Sequence, residues 1–498
     1  DIVGGLTLKP DSDLKSHFVP WFHVVEADVG AMYPTILKAQ NLTADTVQPA
    51  RAGETVDDWI WLDRLDPLFV ENESYQVRKP TAEETFTKGR GWMIGVKKST
   101  DEGMVNKAMT GILHTIQKVK DARADAKKSG APKDELRIHD MTYASLKAAR
   151  NAGTHGILVA VNVSCRQFNM WGGANITTVG QKILHETRED FEKRGIRVVY
   201  GDTDGIYLGC SKSVGNLPEM AAALGADEKP DDSKWITRPE DAIRAVHEMN
   251  DHWREFLNYP GFELEAEEYD AMVYVVHKNY LKFSTKDGKL ALETKGNNFK
   301  GSDKAPLAQS LLGEIMERAM KEVSSWDDED DARERMKTAI KRATTDVMKD
   351  RDVSGTEWDQ LTLRQSVRPI RGYKPNPDGS ASSFAMRTAA IEQVLGEELT
   401  AGRKMKFIVC KQPLPAYIQP PAQEWARKRL QAFHLDMGIK KPSKSGIKPI
   451  EYMWPIDLVE PHMIDLTWYK DMVEKYIMGA FGFNSLELAT QRDLSSWF

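Results

Sequence analysis

The sequence predicts an α+β chain of two to four domains, and three observations carry that expectation. With 498 residues the chain exceeds what one hydrophobic core usually serves. Strand-like runs occupy 196–209 and 262–283. Between and after them lie stretches of helical period: Met109, Ile112, Leu113, Ile116 and Val119 recur at three- and four-residue spacing.

In chain order, residues 1–40 read as short strands followed by a helix, and 45–100 read as irregular, with Gly, Pro and charge scattered through them. A helix is expected from about Met104 to Lys128. The breaker Ser129-Gly130-Ala131-Pro132 follows, then a second helix from about Lys133 through Asn151. The short turn makes the two an antiparallel hairpin. From about Lys304 the chain reads as mostly helical, with a Pro-rich, basic interruption at 411–450, and no internal repeat is visible. The first residue is Asp1 rather than Met, and a strand-to-helix unit begins almost at once, as in a processed chain or one half of a split protein.

Composition excludes several classes. A hydrophobic share of 41% and a charged share of 29% describe an ordinary globular chain. No run approaches the roughly 18 apolar residues of a membrane span, and the start lacks a signal peptide's basic and apolar regions. Cys165, Cys210 and Cys410 lie far apart without a CxxC pair, which argues against structural zinc and disulfides and for a reducing intracellular compartment. The net charge of −6 does not advertise nucleic acid, but charge is unevenly spread. From Ala401 to Ile450 eleven Lys or Arg face two acids, a local +9, the field a phosphate backbone meets and also a pattern of ordinary solvated surface.

The most informative segment is Arg197–Leu208, RVVYGDTDGIYL, two β-rich runs around a turn that carries Asp202 and Asp204. Asp and Gly also serve simply to build turns. Two carboxylates at one tip repel each other, a repulsion that a divalent cation relieves, and Mg²⁺ favours carboxylates plus substrate phosphates. A second carboxylate, Asp28, ends the apolar run of FHVVEADVGAMYPT; Gly30 permits a turn and Pro34 suits a first helical turn. Carboxylates from separate strands can hold two metals for in-line displacement, chemistry that serves polymerases and nucleases alike.

The two central helices separate those possibilities. Arg123 and Lys127 lie four apart on the first, and Lys147 and Asn151 four apart on the second. Converging cations without acidic partners suit a triphosphate, which a nuclease does not need, although basic surface helices look the same.

Taken together and in order, DVGAMYPT, KAARN, YGDTDG and Lys278-Asn279-Tyr280 resemble the motifs of family B DNA polymerases. The resemblance implies a right-hand fold with an antiparallel-sheet palm, helical-hairpin fingers and a mostly helical thumb. It divides the chain into palm at 1–100 (with an irregular insertion) and 156–303, fingers at 101–155, thumb at 304–490 and a tail at 491–498. It implies two Mg²⁺ ions at Asp28, Val29 and Asp204, with Asp202 supporting them. Arg123, Lys147 and Asn151 would hold the incoming deoxynucleoside triphosphate, assisted by Lys127. Tyr33 would lie under the sugar and exclude a 2′-hydroxyl, and Lys278 and Tyr280 would contact primer–template DNA. The sequence departs from the pattern at Ala31-Met32, at Gly205, and at Ala152-Gly153-Thr154-His155, where the family has Ser-x-Tyr-Gly. The missing Tyr bears on fidelity and nucleotide affinity.

The family's N-terminal and exonuclease domains do not fit before Asp28, and no strand-like Asp-x-Glu is found, so the chain is expected not to proofread, with a separate chain as one source of that activity. The last eight residues match the clamp-binding pattern Gln-x-x-aliphatic-x-x-aromatic-aromatic at Gln491, Leu494, Trp497 and Phe498, which implies a PCNA-like sliding clamp. The expected setting is the cytoplasm or nucleoid of an archaeon, or a eukaryotic nucleus. The alternative is a catalytically degenerate polymerase fold serving as a structural subunit of a replication complex; intact Asp28, Asp202 and Asp204 argue against it.

Overall fold

The computed structural model describes residues 3–65, 74–84, 91–159, 165–299, 305–350, 358–367, 374, 403–411, 453–456 and 459–483. The chain divides into two compact units, one of Asp1–His17, Trp21–Pro218 and Glu228–His277, the other of Phe18–Pro20, Glu219–Asp227 and Lys278–Phe498. The fold is mixed α+β with antiparallel sheets.

In the first unit, strands β1 (Thr7–Leu8) and β2 (Pro20–Val29) belong to the main sheet. A smaller sheet follows from β3 (Val47–Pro49), β4 (Asp58–Leu62), β5 (Val77–Arg78) and β6 (Trp92–Lys98). The main sheet resumes with β7 (Arg197–Asp202), β8 (Gly205–Ser211) and β9 (Leu264–Val276), in the order β1-β7-β8-β2-β9. The β2–β8 register runs from Phe22 opposite Ser211 to Asp28 opposite Gly205, so the apolar run of β2 ends at the β7–β8 turn.

Helices α1 (Met32–Ala39), α2 (Met104–Lys128), α3 (Lys133–Asn151), α4 (Met170–Lys193) and α5 (Pro239–Leu257) complete this unit. The helix pair expected over 104–128 and 133–151 is present. On α5 the buried Ala242, Val246, Met249, Trp253 and Leu257 recur every three or four residues. They join Ile176, Ile183 and Phe191 of α4 and Val25, Ala27, Val198 and Leu208 of the sheet in one core.

The irregular reading of 45–100 does not hold. There β6 pairs antiparallel with β3, β4 and β5, burying Ile60, Leu62, Ile94 and Val96 in the core. Two of these strands have only two or three residues, too few for alternation to register in the sequence.

Asn169 ties this sheet to α4. Its side-chain oxygen accepts from the N–H groups of Trp171 and Gly172, capping α4, while its amide donates to the carbonyls of Ala44 and Val47 at 3.2 and 2.9 Å. Asn169→Ala removes the cap and strands buried partners, and is expected to lower stability by about 2–4 kcal/mol in urea unfolding. A loss below about 0.5 kcal/mol, the range of surface substitutions, would contradict that accounting.

In the second unit β10 (Asn279–Lys286) and β11 (Lys289–Lys295) form a hairpin. Asp287 and Gly288 at its tip both have positive φ, 51° and 70°, as a two-residue type I′ turn requires. Helices α6 (Pro306–Glu322), α7 (Glu329–Asp350) and α8 (Leu466–Ala480) follow the helical expectation from 304. That expectation missed a three-stranded sheet of β12 (Leu363–Val367), β13 (Arg403–Val409) and β14 (Met453–Pro455). Its strands are far apart in sequence, so no local turn signals the pairing. The Tyr469 hydroxyl of α8 accepts from the Val409 N–H at 3.0 Å. Most of the basic stretch 401–450, and the tail with Gln491, Leu494, Trp497 and Phe498, lie outside the described residues. Among the described residues no helix is long and apolar enough to cross a membrane.

Candidate active site

The site forms in the first unit where β2 ends beside the β7–β8 turn. The Val29 N–H donates to the Asp204 carbonyl at 2.8 Å, clamping the strand end to the turn. Asp202 pairs with Gly205 across the tip, and the Asp204 N–H donates to the Asp202 carbonyl at 2.6 Å, closing a three-residue turn on Thr203. Thr203 has φ 58°, a left-handed conformation that a β-branched residue rarely adopts. The surroundings hold it there: its N–H donates to the Leu6 carbonyl at 2.8 Å, and its hydroxyl and that of Thr7 donate to the Asp202 carboxylate at 3.1 and 2.8 Å. Asp202 thus braces the turn that presents Asp204.

A cavity of about 340 Å³ opens here, lined by Asp28, Tyr33, Lys147, Asn151 and Asp204 among others. Half-buried Asp28 has its pKa raised to about 7, first by burial, then by the negative charges of Asp204, Glu26 and Glu265. Asp204 opens to solvent at the tip, and its pKa is also raised, by the protein packed around it and then by Asp202 and Glu26, against a backbone hydrogen bond that lowers it. Lys147 lowers both. Tyr33, on the first turn of α1, has its phenol pushed up to about 12 by burial and by Asp204 and Asp202.

Among the described residues no group of three or more His, Cys, Asp or Glu side chains is placed to hold a metal ion. A closed protein cage is therefore not what this cleft supplies. The carboxylates of Asp28 and Asp204 do fit a hard divalent cation that takes its other ligands from water and phosphate. The charge of Asp204 raises the proton affinity of half-buried Asp28, a repulsion that added positive charge relieves.

The cationic residues divide. Lys147 and Asn151 of α3 line the cavity, whereas Arg123 and Lys127 of α2 do not. The expectation that Arg123 lacks an acidic partner fails: its Nε lies 2.5 Å from Asp140 on the facing helix. Lys120, one turn closer to the helix base, lines the cavity instead and sits 6.0 Å from the Tyr143 ring. At 1.5 Å rise per residue, Arg123 and Lys127 lie about 4.5 and 10 Å farther toward the hairpin tip. Lys278, with φ 62°, and Tyr280, paired with Lys295, belong to the second unit.

Several cavity residues were given no role by the sequence reading, among them Lys120, Tyr143, Arg150 and Glu265. Lys120 shares a helical face with Arg123 and Lys127, and that spacing was the available signal. Arg150 is buried, with burial lowering its pKa, and donates to Asn151 Oδ1 at 3.1 Å and to the Gly30 carbonyl at 3.4 Å. Glu265 also lines the cavity, and nothing local in the sequence marks it; Thr154, marked only as a departure from the motif, lines it too.

No protein-family model matches the chain. The chain is 25% identical over 191 residues, 38% of its length, to "DNA polymerase 1" of Sulfolobus acidocaldarius. It is 22% identical over 321 residues, 64% of its length, to "DNA polymerase 1" of Pyrococcus abyssi, and 21% identical over 300 residues to the "DNA polymerase" of Paramecium bursaria Chlorella virus NY2A. The matched stretches span 18%, 32% and 28% of those three relatives. Among solved structures, the family B DNA polymerase from Pyrobaculum calidifontis superposes over 97% of this chain and 47% of that one, with a TM-score of 0.45 and 17% identity. All three sequence relatives are DNA polymerases by name, and the chain spans less than a third of the length of each.

Proposed function

We propose that this chain extends a DNA primer along a template, adding deoxynucleotides to the 3′ end by nucleotidyl transfer. The observation that carries the reading is one cavity lined by Asp28 and Asp204 together with Lys147, Asn151 and Tyr33. Carboxylates, a cation and an amide in one cavity match the charge of a metal-bound triphosphate.

In this reading Asp28, Asp204 and the Val29 backbone hold two Mg²⁺ ions, which when bound activate the attacking hydroxyl and stabilise the leaving oxygen. Lys147 and Lys120 take the triphosphate's charge and Asn151, oriented by Arg150, takes a phosphate oxygen. Asp202 keeps Asp204 in place through the Thr203 turn. Tyr33 lies under the sugar and disfavours a 2′-hydroxyl. The primer 3′-oxygen forms its bond to the α-phosphorus as the bond to the β-phosphate oxygen breaks, and pyrophosphate leaves. Residues 101–155 serve as fingers, 1–100 and 156–303 as palm and 304–490 as thumb, with Lys278 and Tyr280 on the primer–template. Gln491, Leu494, Trp497 and Phe498 engage a sliding clamp, in an intracellular setting.

Extension of a labelled primer with Mg²⁺ and the four deoxynucleotides tests this directly. Template-ordered products support it, and an unextended primer at every enzyme concentration overturns it. The same assay separates the two helices. Lys147→Ala is expected to raise the nucleotide KM about 10- to 100-fold, the worth of one charge-assisted contact. Arg123→Ala, whose charge is already engaged by Asp140, is expected to change it less than about threefold. Equal effects would place Arg123 on the triphosphate.

A further inference from the structure

Tyr33 is wedged rather than merely present. A Cβ added to Gly5 would fall 2.9 Å from the Tyr33 hydroxyl and 3.1 Å from Thr203, so the backbone of the first strand region closes over the hydroxyl end. A Cβ added to Gly180 of α4 would fall 3.6 Å from Tyr33 Cε1, so α4 lies against one ring edge. Facing the ring is His155, with centroids 5.0 Å apart and planes inclined at 45°.

His155 reaches this position through a break in the helix. The chain kinks over Ala152–Gly156, directly after α3, with Thr154 at φ −110° and ψ −110°, outside helical geometry. The Thr154 side chain is buried and its hydroxyl donates to the Asn151 carbonyl at 3.0 Å, so the kink before His155 is tied to the end of α3 that carries Asn151 of the cavity. His155 Nε2 is enclosed without a hydrogen-bond partner among the described residues, so the ring is placed by packing and not by a polar contact.

We propose that His155 is a positioning residue for sugar selection: its ring, set by the kink at Thr154, fixes the Tyr33 ring, and discrimination against ribonucleotides depends on the pair. The inference rests on the polymerase reading above. Thr154 replaces the aromatic residue that the motif resemblance expects at that position, and the ring one residue later supplies the packing surface.

The test compares kcat/KM for dCTP and CTP on one DNA primer–template with Mg²⁺, in the parent, His155→Ala, His155→Phe, Tyr33→Ala and the Tyr33→Ala/His155→Ala double variant. Loss of the ring pair is expected to reduce the deoxy-to-ribo preference roughly two- to tenfold in His155→Ala, the range that aromatic pairs contribute. The change should lie in the CTP values, with kcat for dCTP preserved. His155→Phe should restore the preference, and His155→Ala should add nothing in the Tyr33→Ala background. An unchanged preference in His155→Ala, or an equal fall for both nucleotides, overturns the inference while leaving the polymerase reading intact. Should His155→Ala fail to fold, His155→Phe with parental preference and the Gly5→Ala variant, which displaces Tyr33 and should lower it, carry the same decision. A parent that extends no primer overturns the underlying reading, and this inference with it.

Discussion

Asp204→Asn is expected to lower primer extension by at least about a thousandfold while leaving the fold intact. A metal bound at such a site supplies several kcal/mol of charge stabilisation to the transition state, and each 1.36 kcal/mol is a factor of ten in rate. Asn keeps the shape of the side chain and loses its charge. Asp204 is exposed at the tip of a turn whose hydrogen bonds run through its backbone and through Asp202, so the substitution removes no side-chain contact that holds the turn. Thermal unfolding at neutral pH should therefore be no lower than in the parent, because the charge removed is one whose pKa the fold raises. Extension within tenfold of the parent would show that Asp204 is not a metal ligand. A collapsed melting temperature would mean that it builds the turn.

The second large effect is on pH. Asp28 has its pKa raised to about 7, from 3.8, so at pH 6 most of the chain carries a proton where a cation would bind. Metal binding must displace that proton, and the apparent Mg²⁺ affinity should fall roughly tenfold for each pH unit below 7. Above pH 7 the affinity should level off. Titrating the chain with Mg²⁺ at pH 6, 7 and 8 checks this, and equal affinities at pH 6 and pH 8 would contradict the raised value. Linkage gives a companion sign. Without metal, the folded chain takes up a proton at Asp28 between 3.8 and 7, so the stability this protonation contributes is present at low pH and lost as pH rises through 7. Asp28→Asn should thus be more stable than the parent at pH 8, and the difference should vanish by about pH 4.

Both effects depend on residues that local sequence patterns mark. Asp28 is marked by an apolar strand that ends at Gly30 and Pro34, and Asp202 and Asp204 by a turn between two β-rich runs. The helix pair at 104–128 and 133–151 is legible for a similar reason: a 3.6-residue period sustained over several turns, broken at Gly130 and Pro132. Where elements are short or paired over long distances the pattern is silent, as for β3 and β5 with two or three residues and for β12 and β13 with their distant partner strands.

Local spacing determined that Arg123 and Lys127 share a face, and Lys147 and Asn151 another. It did not determine which of those faces would meet the carboxylates. That was decided by the register of α2 against α3, which sets Arg123 on Asp140 and brings Lys120 to the cavity. The same holds for His155. Its identity is in the sequence, but its place against Tyr33 follows from the kink at Thr154 and from the closeness of Gly5 and Gly180, none of which has a sequence period. Sequence by itself determined the chemical groups and the elements that carry them, because strand and helix periods act over a few residues. Only the tertiary structure decided which groups face one another, and with them the raised pKa of Asp28, because charge and burial act through space and not along the chain.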